Sequence, residues 1–178
     1  ANEIFDHWEA FASYGFNKSH ATNYGIMAVK TAFLKYRYPV EYMTALLSAW
    51  KNDNEKCATY IAECREMGIE VLPPDVSSSG YDFTIEDRTD GKAAIRFGLG
   101  AVKNVGQAPV EEIMHGRLDN LSKTSQPFKS LNDFVQRVDL RKVSKRPLEC
   151  LIKVGALDQL GDRGAMLASL DQMVNIST

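Results

Sequence analysis

Apolar residues recur at helical spacing from the start of the chain. Ile4, Phe5, Trp8, Phe11 and Ala12 stand three and four apart and predict an amphipathic helix. A second apolar run, Ala21 to Leu34, predicts a buried helix entered through Asn17 or Ser19 as N-cap. Pro39 suits a helix start, and Met43, Leu46, Leu47 and Trp50 carry the stripe onward. Asn52, with Glu55 three residues later, makes a capping-box-like opening for a helix striped by Cys57, Tyr60, Ile61 and Cys64 and stopped at Gly68. Then the period changes. Glu70-Val71-Leu72 runs into Pro73-Pro74, Ser77-Ser78-Ser79-Gly80 predicts a flexible loop, and Phe83 with Ile85 alternates like a short strand. Asp90-Gly91 turns the chain into Ala94-Ile95-Arg96-Phe97, which predicts a hairpin.

Beyond Gly98 the helical period returns, with stripes at Leu131, Phe134, Val135 and Val138, at Leu148, Leu151 and Ile152, and at Met166, Leu167, Leu170 and Met173. The pattern as a whole predicts a mainly α chain with a small β-hairpin and a subdomain boundary between Gly68 and Gly80.

Composition fits that picture. At 178 residues, 44% hydrophobic and 25% charged, the chain has enough apolar side chains for a core and suits one ordinary domain or two small ones. Its longest uncharged stretch, Ser19 to Val29, is far short of the roughly 18 apolar residues a membrane span needs, and no leader pattern opens it; a cytoplasmic, membrane-free protein is the expectation. Cys57, Cys64 and Cys150 form no Cys-x-x-Cys, so neither a disulfide framework nor a zinc site is expected, and Cys57 and Cys64 read as buried thiols on one helix. A first residue Ala1 inside an amphipathic pattern suggests a piece of something longer.

The net charge of -2 hides a sorting of sign along the chain. Lys18, Lys30, Lys35 and Arg37 stand in a stretch without acids. Between Ser122 and Lys153, Lys123, Lys129, Arg137, Arg141, Lys142, Lys145, Arg146 and Lys153 outnumber Asp133, Asp139 and Glu149. Two basic zones on an otherwise acidic chain suit a polyanion touched at two places, although charge runs are also ordinary solvated faces. At the first zone, Tyr14-Gly15-Phe16-Asn17-Lys18-Ser19-His20-Ala21 gathers an amide, an ammonium, a hydroxyl and an imidazole at a helix mouth, where free N–H groups and the helix dipole favour phosphate. Asn17, Lys18, Ser19 and His20 are therefore the candidate phosphate contacts; plain capping beside a solvated Lys is the competing reading. Tyr24 has a face for stacking on a base, but burial in the core is its expected role.

A second motif is Leu99-Gly100-Ala101-Val102-Lys103-Asn104-Val105-Gly106, followed by Val110 and Ile113. It fits a helix-hairpin-helix: apolar residues pin two short helices, a tight turn opens its amides, and glycine admits a phosphate or a positive φ. Gly106 fills the second glycine place. Asn104 stands where the first is usual, and Asn tolerates the left-handed conformation better than other side chains. Lys103 adds charge, and Pro109 sits in the first turn of the following helix. Leu151-Ile152-Lys153-Val154-Gly155-Ala156-Leu157 is a weaker echo, preceded by the densest cationic stretch, Lys142-Val143-Ser144-Lys145-Arg146. Lys103, Asn104, Val105, Gly106, Lys142, Lys145, Arg146 and Gly155 are the candidate DNA contacts. A two-helix turn that packs and binds nothing is the alternative. Gly98-Leu99-Gly100 completes no nucleotide loop.

With these residues in view, the chain resembles the alpha subunit of bacterial DNA polymerase III. The resemblance rests on five blocks: Phe11 to Ala21, Thr31 to Pro39, Val71 to Val76, Ile95 to Lys103 and Leu148 to Asp158. It departs from the family pattern at Asn104, where Gly is usual, and at Ser77, where Asn is common. The resemblance implies a C-terminal part of the polymerase fingers over residues 1–70, a connector with a short hairpin over 71–98, and a tandem helix-hairpin-helix domain gripping duplex DNA over 99–178. It implies a nucleotidyltransferase whose palm aspartates, holding Mg²⁺, lie elsewhere; this chain has no Asp-x-Asp, and neither catalytic residues nor a cofactor are expected in it. Primer-template DNA, a deoxynucleoside triphosphate and other replisome subunits, including a sliding clamp whose binding peptide is not expected here, are the implied partners. A free-standing helix-hairpin-helix module and a protein-binding replisome scaffold remain the alternatives.

Overall fold

The computed structural model describes residues 2–14, 17–118 and 124–176 of the chain. Gly15, Phe16 and Lys123, which entered the readings above, lie outside the described residues. The chain divides into two compact units, Ala1–Tyr42 and Met43–Thr178.

The first unit holds α1 (Asn2–Tyr14) and α2 (Lys18–Arg37), and the start of α3 (Pro39–Ala49). The helical period was read correctly, but the expectation of burial was not. α2 contains no buried residue among those described, and Ile4, Phe5, Trp8 and Phe11 of α1 are exposed. A unit of this length offers too few layers to cover an apolar helix on its own. Tyr24, expected in the core, is 57% exposed and meets the His20 ring edge-on at 4.3 Å.

The second unit opens with the buried end of α3, where Met43 and Leu47 are fully covered. α4 (Asn54–Glu66) follows, with Cys57 and Cys64 buried as free thiols. Its N-cap is Asp53, one residue beyond the expected Asn52: the Asp53 carboxylate accepts the Lys56 N–H at 3.1 Å. The helix ends at Glu66, and Gly68 takes a positive φ of 73° just past it.

Three short strands then form one sheet in the order β1-β3-β2, with β1 at Val71–Leu72, β2 at Thr84–Asp87 and β3 at Ala93–Arg96. The antiparallel β2–β3 hairpin was expected, closed through Arg88, Gly91 and Lys92. The parallel strand β1, with Val71 opposite Ile95, was not: two residues before Pro73-Pro74 are too few to show a period.

The serine loop is fixed rather than flexible. Ser79 is fully buried and its hydroxyl accepts the Asp75 N–H at 2.9 Å; Ser77 Oγ accepts the Phe128 N–H at 3.2 Å. Beneath it the buried Arg117 donates to the Ser79 carbonyl at 2.6 Å, and burial pushes its guanidinium down to about 10 while Asp75 pulls it back up. Side-chain bonds here replace the ladder bonds a loop lacks.

The rest is helical: a single 3₁₀ turn at Leu99–Ala101, then α5 (Gln107–Gly116), α6 (Leu131–Arg137), α7 (Leu140–Val143), α8 (Lys145–Lys153), α9 (Arg163–Ala168) and α10 (Leu170–Ile176). Its core gathers Leu99, Val102, Val105, Val110, Ile113, Phe134, Leu148, Leu151 and Ile152, the stripes read from the sequence. The stripe at Met166 to Met173 divides between two helices at Ser169, whose hydroxyl donates back to the Ala165 carbonyl at 2.9 Å. No helix among the described residues is long and apolar enough to cross a membrane.

Candidate nucleic-acid interface

The first hairpin is built from the 3₁₀ turn, the residues Val102 to Gly106 and α5. Val102 and Val105 point into the core and pin the turn, and the Val105 N–H donates to the Val102 carbonyl at 3.0 Å. Asn104 takes φ 67°, the left-handed conformation that its place in the motif requires. Its amide also donates to Cys150 Sγ at 3.7 Å, a weak link from the turn to α8. Gly106 is the N-cap of α5 at φ -83°, a value open to any residue, and no atom lies within 4 Å of where its Cβ would stand. Lys103 is exposed and makes no ion pair with a described residue.

Gly98 and Gly100 serve packing. A Cβ on Gly98 would meet the Asp82 and Tyr81 backbone at 2.5 and 2.6 Å, and one on Gly100 would meet the Tyr81 ring at 2.5 Å. The Leu99 and Gly100 N–H groups donate to the Gly80 and Tyr81 carbonyls at 2.9 Å each. The hairpin therefore rests on the segment just before β2.

A groove of about 490 Å³ runs along this turn, lined by Gly100 to Gly106 and by Lys51, Asn52 and Asn54 from the α3–α4 corner. Sequence reading did not find the latter three. They lie about fifty residues upstream, and nothing in their local pattern announces the meeting.

The second hairpin differs in surface. Gly155 takes φ 84°, as a tight turn after α8 demands, but Arg163 covers it: a Cβ there would stand 2.2 Å from the guanidinium. Arg163 is paired with Asp158 at 2.5 Å, which holds the Asp158 carboxyl below its ordinary range. The cations near it are largely engaged by acids of the same chain. Lys142 lies 3.3 Å from Glu112, Lys145 2.5 Å from Asp171 and Lys153 2.5 Å from Glu149. Arg137 is turned inward onto the Gly116 and Arg117 carbonyls at 3.0 Å and onto Asp133. Arg146 remains exposed and without an ion pair among the described residues.

In the first unit, Asn17 is the N-cap of α2, its Oδ1 accepting the His20 N–H at 3.0 Å. Lys18, Ser19 and His20 are exposed in the first turn, so the side chains proposed for phosphate contact are accessible there. Among the described residues no cluster of three or more His, Cys, Asp or Glu is arranged to hold a metal ion.

Two short helical elements joined by an open, pinned turn define a helix-hairpin-helix, and a family model described as a helix-hairpin-helix motif matches residues 68–166: the chain belongs to that family. Its similarity extends further. It is 49% identical over 174 residues to the DNA polymerase III subunit alpha of Thermus aquaticus, covering 98% of this chain and 13% of that one. It is 44% identical over 179 residues to that of Vibrio cholerae, covering 100% and 15%, and 47% identical over 161 residues to that of Pseudomonas aeruginosa, covering 90% and 13%. The resemblance read from five blocks thus holds along nearly the whole chain, which spans only about a seventh of these relatives' length.

Proposed function

We propose that this chain is part of the alpha subunit of a replicative DNA-directed DNA polymerase, where it grips duplex DNA at Lys103, Asn104, Val105 and Gly106 and positions nucleotide or template through the start of α2. The observation that carries the reading is Gly106. Its φ and its empty surroundings give folding no reason for a glycine, whereas a bare peptide beside Lys103, which has no ion pair among the described residues, suits close approach of a phosphate. Val105 supplies rigidity, and Asn104 offers an amide in place of a second open glycine.

Lys142, Lys145 and Arg146 form a secondary contact, led by Arg146; Gly155, expected among the contacts, lies under the Arg163 side chain and is left out of it. Lys142 and Lys145 join only by exchanging a carboxylate partner for a phosphate. In the first unit, Lys18 supplies charge to a phosphate of the incoming nucleotide or template, with Asn17, Ser19 and His20 around it.

Deoxynucleoside triphosphate, primer-template DNA and other replisome subunits, a sliding clamp among them, are the partners of the longer cytoplasmic protein. Mg²⁺ in the palm of that protein would stabilise the charge of the transferred phosphate. The described residues do not fit such a site, and no catalytic step is assigned to them.

In the 178-residue chain, Gly106→Ala is expected to keep the wild-type urea midpoint while weakening duplex binding about tenfold, the scale of one charge-assisted hydrogen bond. Lys103→Ala should make the slope of log affinity against log salt about 0.9 shallower. Wild-type affinity and slope in both variants would remove the grip from this turn.

A further inference from the structure

We infer that the α3–α4 corner, residues 51–54, is a second wall of the nucleic-acid site, so that the sugar-phosphate backbone of one DNA strand runs between the Asn52 and Asn54 amides and the turn at Lys103 to Gly106. The inference rests on the duplex-gripping reading of that turn and adds a surface outside the hairpin motif.

The groove is shared by both segments. Asn52 and Asn54 are exposed, and neither side-chain amide has a hydrogen-bond partner among the described residues. An amide of this kind donates to phosphate oxygens regardless of base, which fixes a strand's path without reading its sequence. The two walls are also held in a set relation. Lys51 is ion-paired with Asp82 and stands 4.2 Å over the Tyr81 ring. Tyr81 and Asp82 are the same residues that press against Gly98 and Gly100 at the root of the hairpin. One ammonium thus braces the corner to the floor on which the hairpin sits, and the groove needs no rearrangement to receive a strand.

Charge divides the roles. The Lys51 ammonium is engaged by Asp82, and the Asp53 carboxylate caps α4 and lies 3.7 Å from Lys56. Glu111, the nearest acid on α5 in sequence, accepts from Gln107 at 2.6 Å. The corner therefore offers an anion neutral donors, and Lys103 across the groove, without an ion pair among the described residues, supplies positive charge.

The test is duplex binding by the 178-residue chain across a salt series, with urea midpoints recorded for every variant. Asn52→Lys and Asn54→Lys are each expected to tighten binding and steepen the salt slope by about 0.9, as one added phosphate contact does. Asn52→Asp with Asn54→Asp is expected to weaken binding about tenfold or more. Gln172→Lys, in a separate cavity beside α6, adds the same charge away from the groove and should leave the slope near wild type. If the corner variants behave like Gln172→Lys while Lys103→Ala still weakens binding, the corner is not a wall and the hairpin reading stands. If Lys103→Ala also has no effect, both fall.

Discussion

At φ 67° Asn104 holds a conformation that costs most side chains about 1–3 kcal/mol. Asn104→Gly should keep the fold and open the turn, losing only the weak contact to Cys150, so its stability is expected to match wild type within about 0.5 kcal/mol with duplex affinity equal or higher. Asn104→Val, β-branched at the same φ, should lower the unfolding free energy in urea by about 1–3 kcal/mol. A valine variant as stable as wild type would show that the turn does not need this backbone. This requirement was legible in the sequence, because a residue between pinned valines in a hairpin turn has few conformations to choose from. The reason for Gly98 and Gly100 was not: Tyr81 and Asp82, which would meet their Cβ atoms, lie in another segment and show no pattern pointing to the hairpin.

Among elements, the small sheet shows how an ion pair fixes a register that side-chain alternation leaves loose. Arg96 on β3 grips both carboxylate oxygens of Glu86 on β2 at 2.7 Å and reaches the Pro73 carbonyl after β1 at 2.8 Å, so one guanidinium ties all three strands. These bonds hold the Glu86 carboxyl below its ordinary value of 4.5. A carboxyl lowered in the folded state contributes stability that is complete above 4.5 and is lost as pH falls through the folded value. Glu86→Gln should therefore start with a lower thermal midpoint near neutral pH and fall less than wild type between about pH 5 and about pH 3. Parallel curves for the two proteins would exclude this pair as a source of acid sensitivity. The hairpin strands were legible from Asp90-Gly91 and the alternation beside it. β1 was not, since its pairing is with β3 across more than twenty intervening residues. Helix existence was read well, burial less so: period reports that a side faces something, never what covers it, and α2 carries its apolar residues in the open.

For the molecule as a whole, the proposed contacts fall in two units with separate tests. The proposed duplex grip falls in residues 43–178, and the proposed contact at the α2 start is tested in the longer subunit. Lys18→Ala in that longer subunit should raise the apparent nucleotide or template constant by about one to two decades, the scale of a lost charge-assisted bond of about 1.5–3 kcal/mol, without loss of folded protein. Steady-state kinetics unchanged by the substitution would detach Lys18 from the site. The sequence showed both cationic zones but not how much of each is already spent, because pairing depends on acids that folding brings from elsewhere: Glu112 to Lys142 and Asp171 to Lys145.

That pairing makes the face around α8 its own competitor. Glu112 and Asp171 are tethered carboxylates at high effective concentration, so a phosphate arriving at Lys142 or Lys145 must displace a resident ligand rather than fill an empty place. The uncovered turn at Gly106 has no such occupant among the described residues, so the proposed contact there has no tethered carboxylate to displace.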